Sequence, residues 1–321
     1  MNKTLQIGFL LLGDFSMTCF SATLDALRQA NRLAGQPLYK WIICGIDSDP
    51  VRSSANVAIQ ADCSLHELAP PDILMVVASA TSRNPGEEAL YARLRYFAAR
   101  GVVLGGLSLG SYILARAGLL EGRRCTVHWE NLDAFREAFP DLDVTGDLFE
   151  IDGDRITCAG GTAGMDLMLH YIARDHGPRF ARDVADVFMH QRIRERNENQ
   201  RMPLRVRIGV SHPKLLRYIE LVEKNTDLSL SQQDLARRVG LSSRQLERLF
   251  QKYLSTTPSR YYMEHRLKRA RGLLRDTTLN IIDVAVACGF SSHSHFTKSY
   301  REHFGLTPRD ERVEQVSPHS T

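Results

Sequence analysis

The chain has 321 residues, of which 43% are hydrophobic and 24% charged; this is the length of two ordinary domains and the composition of a globular protein. No apolar run reaches the ~18 residues that span a bilayer, and Asp14 cuts the short stretch Phe9–Leu12 with no cleavage-like site after it, so neither a membrane span nor a secretory signal is expected. The net charge of +4 hides a split, with −6 on residues 1–191, +4 on 192–212 and +6 on 213–321, which points to a basic module for a polyanion carried by an acidic first part.

Leu5–Leu12 is a continuous apolar run bounded by Gly13-Asp14, as in a buried parallel strand. Phe20–Leu33 follows with Leu24, Leu27 and Ala30 at helical spacing. Trp41–Ile46, Asp72–Val77 and Val102–Leu104 read as further strands, and Ala89–Ala99 and Tyr112–Leu120 as helices. Strands alternating with helices predict an α/β sandwich with a mostly parallel sheet of flavodoxin-like type. Six cysteines, at 19, 44, 63, 125, 158 and 288, include no Cys-x-x-Cys pair. No disulfide framework, metal site or cofactor is therefore expected, and a reducing cytoplasmic setting fits.

Between the last of these strands and its helix lies Gly105-Gly106-Leu107-Ser108-Leu109-Gly110-Ser111. Gly106-x-Ser108-x-Gly110 has the spacing of a nucleophile elbow, in which a tight turn lifts the serine to the top of the sheet. His128 and Trp129 follow. One reading is a hydrolase or amidase pair, Ser108 with His128. The carboxylate between them in chain order is Glu121. The other reading is a corner that binds a ligand or packs.

The run Gly105–Leu120 with Cys125-Thr126-Val127-His128-Trp129 resembles the class I glutamine amidotransferase-like (ThiJ/PfpI) domain, over roughly Leu5–His190. In catalytic members the elbow residue is cysteine, helped by histidine and an acid. Here Ser108 stands at that position, and Ser16-Met17-Thr18-Cys19-Phe20 offers no carboxylate. The resemblance implies that the pocket is kept and the reaction is not. Candidate ligand contacts are Phe15 beside Asp14 and Met17, then Ser79, Ser108, Leu109, His128 and Trp129. Backbone N–H groups at the elbow suit a carboxylate. Phe15 and Trp129 suit an alkylammonium, or are core aromatics.

Pro178–Arg194 carries a helical apolar pattern, and Arg192–Arg207 is polar and arginine-rich with Pro203 as a breaker. The expected plan is a sensing domain at 1–194, a solvated linker at 195–211, a second domain at 212–312 and a disordered tail at 313–321. The second domain contains a repeat. Asp234–Ser243 aligns with Asp283–Ser292 at an offset of 49, and Leu246 through Pro258 aligns with Phe296 through Pro308 at 50. Each copy has a short helix, a glycine turn (Gly240, Gly289), a serine cap (Ser242, Ser291) and a second helix. This is helix–turn–helix, so an all-α domain with two such units and double-stranded DNA as partner is predicted. Candidate DNA contacts are Ser243, Arg244, Glu247, Arg248 and Lys252 on one recognition helix. Ser292, His293, Ser294, Thr297, Lys298 and Arg301 are those on the other. Between the copies, Tyr262, Leu267, Ala270, Leu273 and Leu274 form the apolar stripe of a connecting helix. Arg266, Lys268, Arg269, Arg271 and Arg275 are expected to cover its remaining surface.

Ala285-x-x-x-Gly289-Phe290-Ser291-Ser292-x-Ser294-x-Phe296, followed by Tyr300 and Phe304-Gly305-Leu306-Thr307-Pro308, resembles the AraC/XylS DNA-binding domain over roughly His212–Arg312. The Arg309-Asp310-Glu311-Arg312 ending departs from the usual aromatic-Arg. The pair of resemblances implies a transcriptional activator controlled by an amino acid, betaine or carnitine-like metabolite. It also implies a homodimer formed through the first domain, contact with RNA polymerase and no membrane. A DNA-tethered hydrolase using Ser108 and His128 is the competing expectation.

Overall fold

A computed structural model of the chain describes residues 3–79, 87–225 and 230–314, and it divides between Gln200 and Arg201 into two units. The first unit begins with strand β1 (Leu5–Leu11), helix α1 (Met17–Ala34) and strand β2 (Tyr39–Gly45). Short strands β3 (Val51–Arg52), β4 (Ala58–Ile59) and β5 (Cys63–Ser64) precede β6 (Ile73–Ala78) and α2 (Glu87–Ala99). Next come β7 (Val103–Ser108), α3 (Gly110–Arg116), β8 (Arg124–Cys125), α4 (Leu132–Ala138) and β9 (Asp143–Val144). A hairpin of β10 (Phe149–Asp152) and β11 (Arg155–Cys158) leads to α5 (Ala163–His176) and α6 (Pro178–Val187).

The main sheet has the order β10-β11-β7-β6-β1-β2-β5, and only the β10–β11 pair is antiparallel. Side chains alternate across a strand. Ile7, Phe9 and Leu11 of β1 and Ile73, Met75 and Val77 of β6 therefore face α1, α5 and α6. Leu10, Leu74 and Val76 face α2 and α3. Burial on both faces explains why these strands read as continuous apolar runs. The chain winds β2, β1, β6, β7, β11 in space, so its direction reverses beside β1, and the crevice beyond the carboxyl ends there is where such sheets bind ligands.

Expected helix α1 starts three residues early, because Ser16 caps it by accepting from Cys19 N. The β10–β11 hairpin and α5 were not anticipated from the sequence pattern. Much of the expected linker is exposed, but it is not without structure. Residues up to Gln200 pack within the first unit, and part of the rest forms helix α7 (Leu204–Ile208).

The second unit continues with α8 (Pro213–Lys224), α9 (Gln232–Arg238), α10 (Ser243–Leu254), α11 (Pro258–Asp276), α12 (Ile281–Ala287), α13 (His293–Phe304) and α14 (Pro308–Glu314). The expected tail thus starts inside a helix at 313–314; its remainder, 315–321, lies outside the described residues. Helices α9–α10 and α12–α13 are the two helix–turn–helix units. Gly240 (φ 63°) and Gly289 (φ 70°) adopt the left-handed conformation that ends the first helix of each. Ser242 caps α10 in a capping box with Gln245. In the second copy the cap is Ser292, not Ser291. Ser291 is the extra residue of that copy, which is why the offset changes from 49 to 50.

Connecting helix α11 buries the anticipated stripe of Tyr262, Leu267, Ala270, Leu273 and Leu274. Its arginines are not simply a solvated cover. Arg266 Nε donates to the Cys288 carbonyl at 2.6 Å, with its guanidinium 4.1 Å from the Phe290 ring centre, and Arg269 Nη1 donates to the Ala287 carbonyl at 2.9 Å. Those carbonyls end α12 and have no partner within it. The two arginines therefore fix α12 against the connector.

Candidate functional site

The elbow is built from strand β7. Gly106 is required because a Cβ there would lie 2.6 Å from the Ser111 backbone nitrogen, and one on Gly110 would overlap the Val76 carbonyl oxygen. The motif glycines thus let α3 sit directly on β6 and β7. Ser108 closes the turn with φ 57°, a conformation uncommon for a non-glycine residue. Register pairing of Ala78 with Ser108 sets Ser79 beside the elbow. Gly160, at φ 96°, covers it from the other side; a Cβ on Gly160 would meet Ser108 Cβ at 2.8 Å.

His128 and Trp129 are brought in by a buried hydrogen-bonded segment. Ser111 Oγ donates to the Thr126 carbonyl at 2.8 Å, and Thr126 N donates to Thr157 Oγ1 at 2.8 Å. His128 then caps a short turn, its Nδ1 accepting from Glu130 N at 3.4 Å. Burial pulls the imidazole below its ordinary pKa, against the opposing Glu130 carboxylate. Trp129 stays 38% exposed, its ring centre 5.6 Å from that of His128.

Two expected contacts are corrected. Phe15 is fully buried, edge-to-face with Phe20, which meets Phe9 in the same way. A ring enclosed on all sides packs the core and has no free face for a cation. The Leu109 amide is occupied too, donating to the Ala78 carbonyl at 3.3 Å, and its side chain is buried. It is not a spare donor for an oxyanion.

The same geometry bears on catalysis. Among the described residues no hydrogen bond joins Ser108 to His128, whose Nδ1 is turned to Glu130. The nearby Cys19 is fully buried against Cys158, which together with desolvation drives its thiol far above the ordinary range, so it is no ready nucleophile. Among the described residues no cluster of His, Cys, Asp and Glu is placed to hold a metal.

On the second unit, Ser243, Arg244, Glu247, Arg248 and Lys252 are all exposed along α10. On α13, His293, Ser294, Lys298 and Arg301 are exposed and Thr297 is half-buried. His293, Ser294, Thr297, Lys298 and Arg301 line one open depression with Glu302 and Thr307. Ser292 is engaged as a cap, accepting from His295 N. The cap shift makes Arg248 and Lys298 structurally equivalent, each five residues after the start of its helix. Each of the two helices thus presents a cation at the same place along its length. Arg248→Ala and Lys298→Ala are each expected to weaken binding to a selected duplex by about 1–3 kcal/mol, measured by fluorescence anisotropy.

Sequence reasoning missed Asp166. It lies in the first turn of α5 with a fully buried side chain, bonded to His190 and Arg194. An acid in an apolar helix and alternating arginines from 192 to 196 were the available signals.

The profile of the DJ-1/PfpI family matches residues 7–174, and that of a helix-turn-helix domain matches residues 235–313. The chain is 46% identical over 305 residues to the HTH-type transcriptional regulator CdhR of Pseudomonas aeruginosa, covering 95% of this chain and 90% of that protein. It is 43% identical over 310 residues to the HTH-type transcriptional regulator GbdR of the same species, covering 97% and 84%. A crystal structure of an AraC family transcriptional regulator from Pseudomonas putida superposes with a TM-score of 0.53 at 31% identity, covering 57% of this chain and 99% of that one. No helix among the described residues is long and apolar enough to cross a membrane. Two helix–turn–helix units behind a DJ-1/PfpI fold, in a chain alike from end to end to named regulators, place this protein in the AraC family of transcriptional regulators.

Proposed function

We propose that the protein is an effector-responsive activator that acts in the cytoplasm as a homodimer through its first unit and contacts RNA polymerase. The effector is a small zwitterion such as an amino acid, a betaine or a carnitine-like compound. It sits in the crevice beside Ser79, Ser108, His128 and Trp129. The observation that carries this reading is the pairing, in one chain, of an elbow crevice without a catalytic hydrogen bond with two exposed basic recognition helices. The neutral imidazole of His128 suits hydrogen bonding rather than charge pairing, and the exposed indole of Trp129 suits an alkylammonium face. The recognition helices, through Ser243, Arg244, Glu247, Arg248 and Lys252 and through His293, Ser294, Thr297, Lys298 and Arg301, read the operator. Ser292 supports them by holding the end of α13.

A thermal-shift screen of arginine, glycine betaine and carnitine tests the effector class, since a ligand at ~100 times its Kd adds ~2.7 kcal/mol. For the compound that shifts the melting temperature, Trp129→Ala and His128→Ala are expected to weaken affinity about tenfold in calorimetry, or ~1.4 kcal/mol. Unchanged affinity in both variants removes this crevice as the site.

A further inference from the structure

The segment between α6 and the second unit is fastened along its whole length. Asp166, fully buried, accepts from His190 Nε2 at 2.8 Å, from the Arg194 backbone nitrogen at 2.8 Å, and from Arg194 Nε and Nη2 at 2.9 and 2.6 Å. The Arg194 carbonyl accepts from His170 Nε2 at 3.1 Å. The Arg196 carbonyl accepts from Leu148 N at 2.9 Å, and its guanidinium lies 3.4 Å from Glu150, a carboxylate only 1% exposed. Gln200 Nε2 closes the series by donating to the Thr126 hydroxyl and to the carbonyls of Val127 and Asp147 at 3.2, 3.0 and 2.9 Å.

Two of these anchors touch the walls of the candidate pocket. Val127 is the residue before His128. Arg194 Nη2 also donates to Thr162 Oγ1 at 2.7 Å, and Thr162 follows Gly160-Gly161, the turn that lies on Ser108. The segment ends at Gln200, and the DNA-reading unit begins with the next residue.

We propose that His190–Gln200 is a strap that senses occupancy of the Ser108–His128 crevice at both walls and passes it along the chain to the DNA-reading unit, with Asp166 and Arg194 as its fastening. The inference rests on the effector-responsive reading above. A buried carboxylate bonded by one guanidinium, one imidazole and one backbone N–H is a poor way to gain stability, and in the proposal it is the contact that is fastened or released. Allosteric coupling requires such an element, biased differently with and without ligand.

The test uses the full chain and a duplex selected by the parent protein from a random pool. Arg194→Gln alters only the strap side, Arg194→Lys restores the charge, and Asp166→Asn alters the buried side. Arg194→Gln is expected to speed hydrogen exchange across residues 190–200 while the chain still binds whichever of arginine, glycine betaine or carnitine the parent binds. The effector-driven change in duplex affinity, about 5- to 150-fold for typical allosteric coupling, is expected to collapse below about twofold, with partial recovery in Arg194→Lys. Parent-like coupling in Arg194→Gln with a loosened strap overturns the proposal. Should none of the three compounds bind the parent, the zwitterion reading fails by itself. The strap is then judged by duplex affinity without effector, where a change of about fivefold or more in Arg194→Gln supports it and an unchanged value overturns it. A parent chain that selects no duplex overturns both readings.

Discussion

Glu311→Ala is expected to destabilise the second helix–turn–helix unit by about 3 kcal/mol, the low end of the range for breaking a buried ion pair. Glu311 is 2% exposed on α14 and receives hydrogen bonds from Arg271 and Arg275 of α11 and from Tyr300 Oη of α13 at 2.9 Å. One carboxylate thus ties three helices. The low end applies because the two arginine side chains are 33% and 43% exposed and can turn to water, whereas the Tyr300 hydroxyl is left buried without its acceptor. A loss of that size is a large fraction of a domain's stability. It should appear as an early transition in thermal unfolding and as loss of duplex binding, since α13 is no longer held on the connector. Glu311→Gln, which keeps the shape and one acceptor, should lose less. The same group sets an acid limit. Burial alone would raise its pKa, but Arg271, Tyr300 and Arg275 outweigh burial and hold it below the usual carboxylate range. A folded-state pKa below the unfolded value means that the contribution is complete above the ordinary glutamate pKa and disappears as the pH falls through the lowered one. Melting of the parent should therefore move down on acidification by more than that of Glu311→Gln.

Phe15→Ala is expected to cost the first unit about 3–5 kcal/mol, as for other buried Phe truncations. Phe15 is the end of a stack running Phe9, Phe20, Phe15 that locks the start of α1 to β1. For a unit of this size the loss corresponds to a fall in melting temperature of roughly 10 °C, readable by calorimetric scanning. Phe15→Leu separates packing from ligand contact. It keeps most of the volume, so effector affinity is expected to stay within about twofold. A tenfold loss of affinity with an unaltered melting temperature would reverse the correction made for this residue.

The parallel sheet was legible because β1, β6 and β7 are buried on both faces and leave continuous apolar runs. The elbow was legible because Gly106 and Gly110 meet backbone atoms that exclude any side chain. The helix–turn–helix pair was legible because it repeats. Phe15 was left open between ligand contact and core because an aromatic residue in a loop after a strand has the same local pattern whether it packs or faces a ligand. The serine cap was displaced by one residue because the repeat alone does not say on which side of Ser291 the extra residue falls. The strap was missed because its partners are distant in sequence: Asp166 and Arg194 are 28 residues apart, and Gln200 and Val127 are 73 apart. No periodicity links such pairs. Glu311 was noted only as a departure from the usual ending. Its hydrogen bonds show that the ending carries a structural tie.

The connector arginines have a consequence for how the duplex is held. Attraction to DNA comes largely from counterions released as phosphates are neutralised, about 0.9 per phosphate contacted. Arg266 and Arg269 are bonded to the carbonyls that end α12, and Arg271 and Arg275 to Glu311. These four cations are bound to the protein itself and release little from the duplex. Five of the remaining cations, Arg244, Arg248, Lys252, Lys298 and Arg301, lie on the recognition helices, and with four arginines engaged by the protein the sequence-independent attraction is expected to be weaker than the charge of residues 213–321 suggests. The expected consequence is a shallower salt dependence of duplex binding than the charge of residues 213–321 would give.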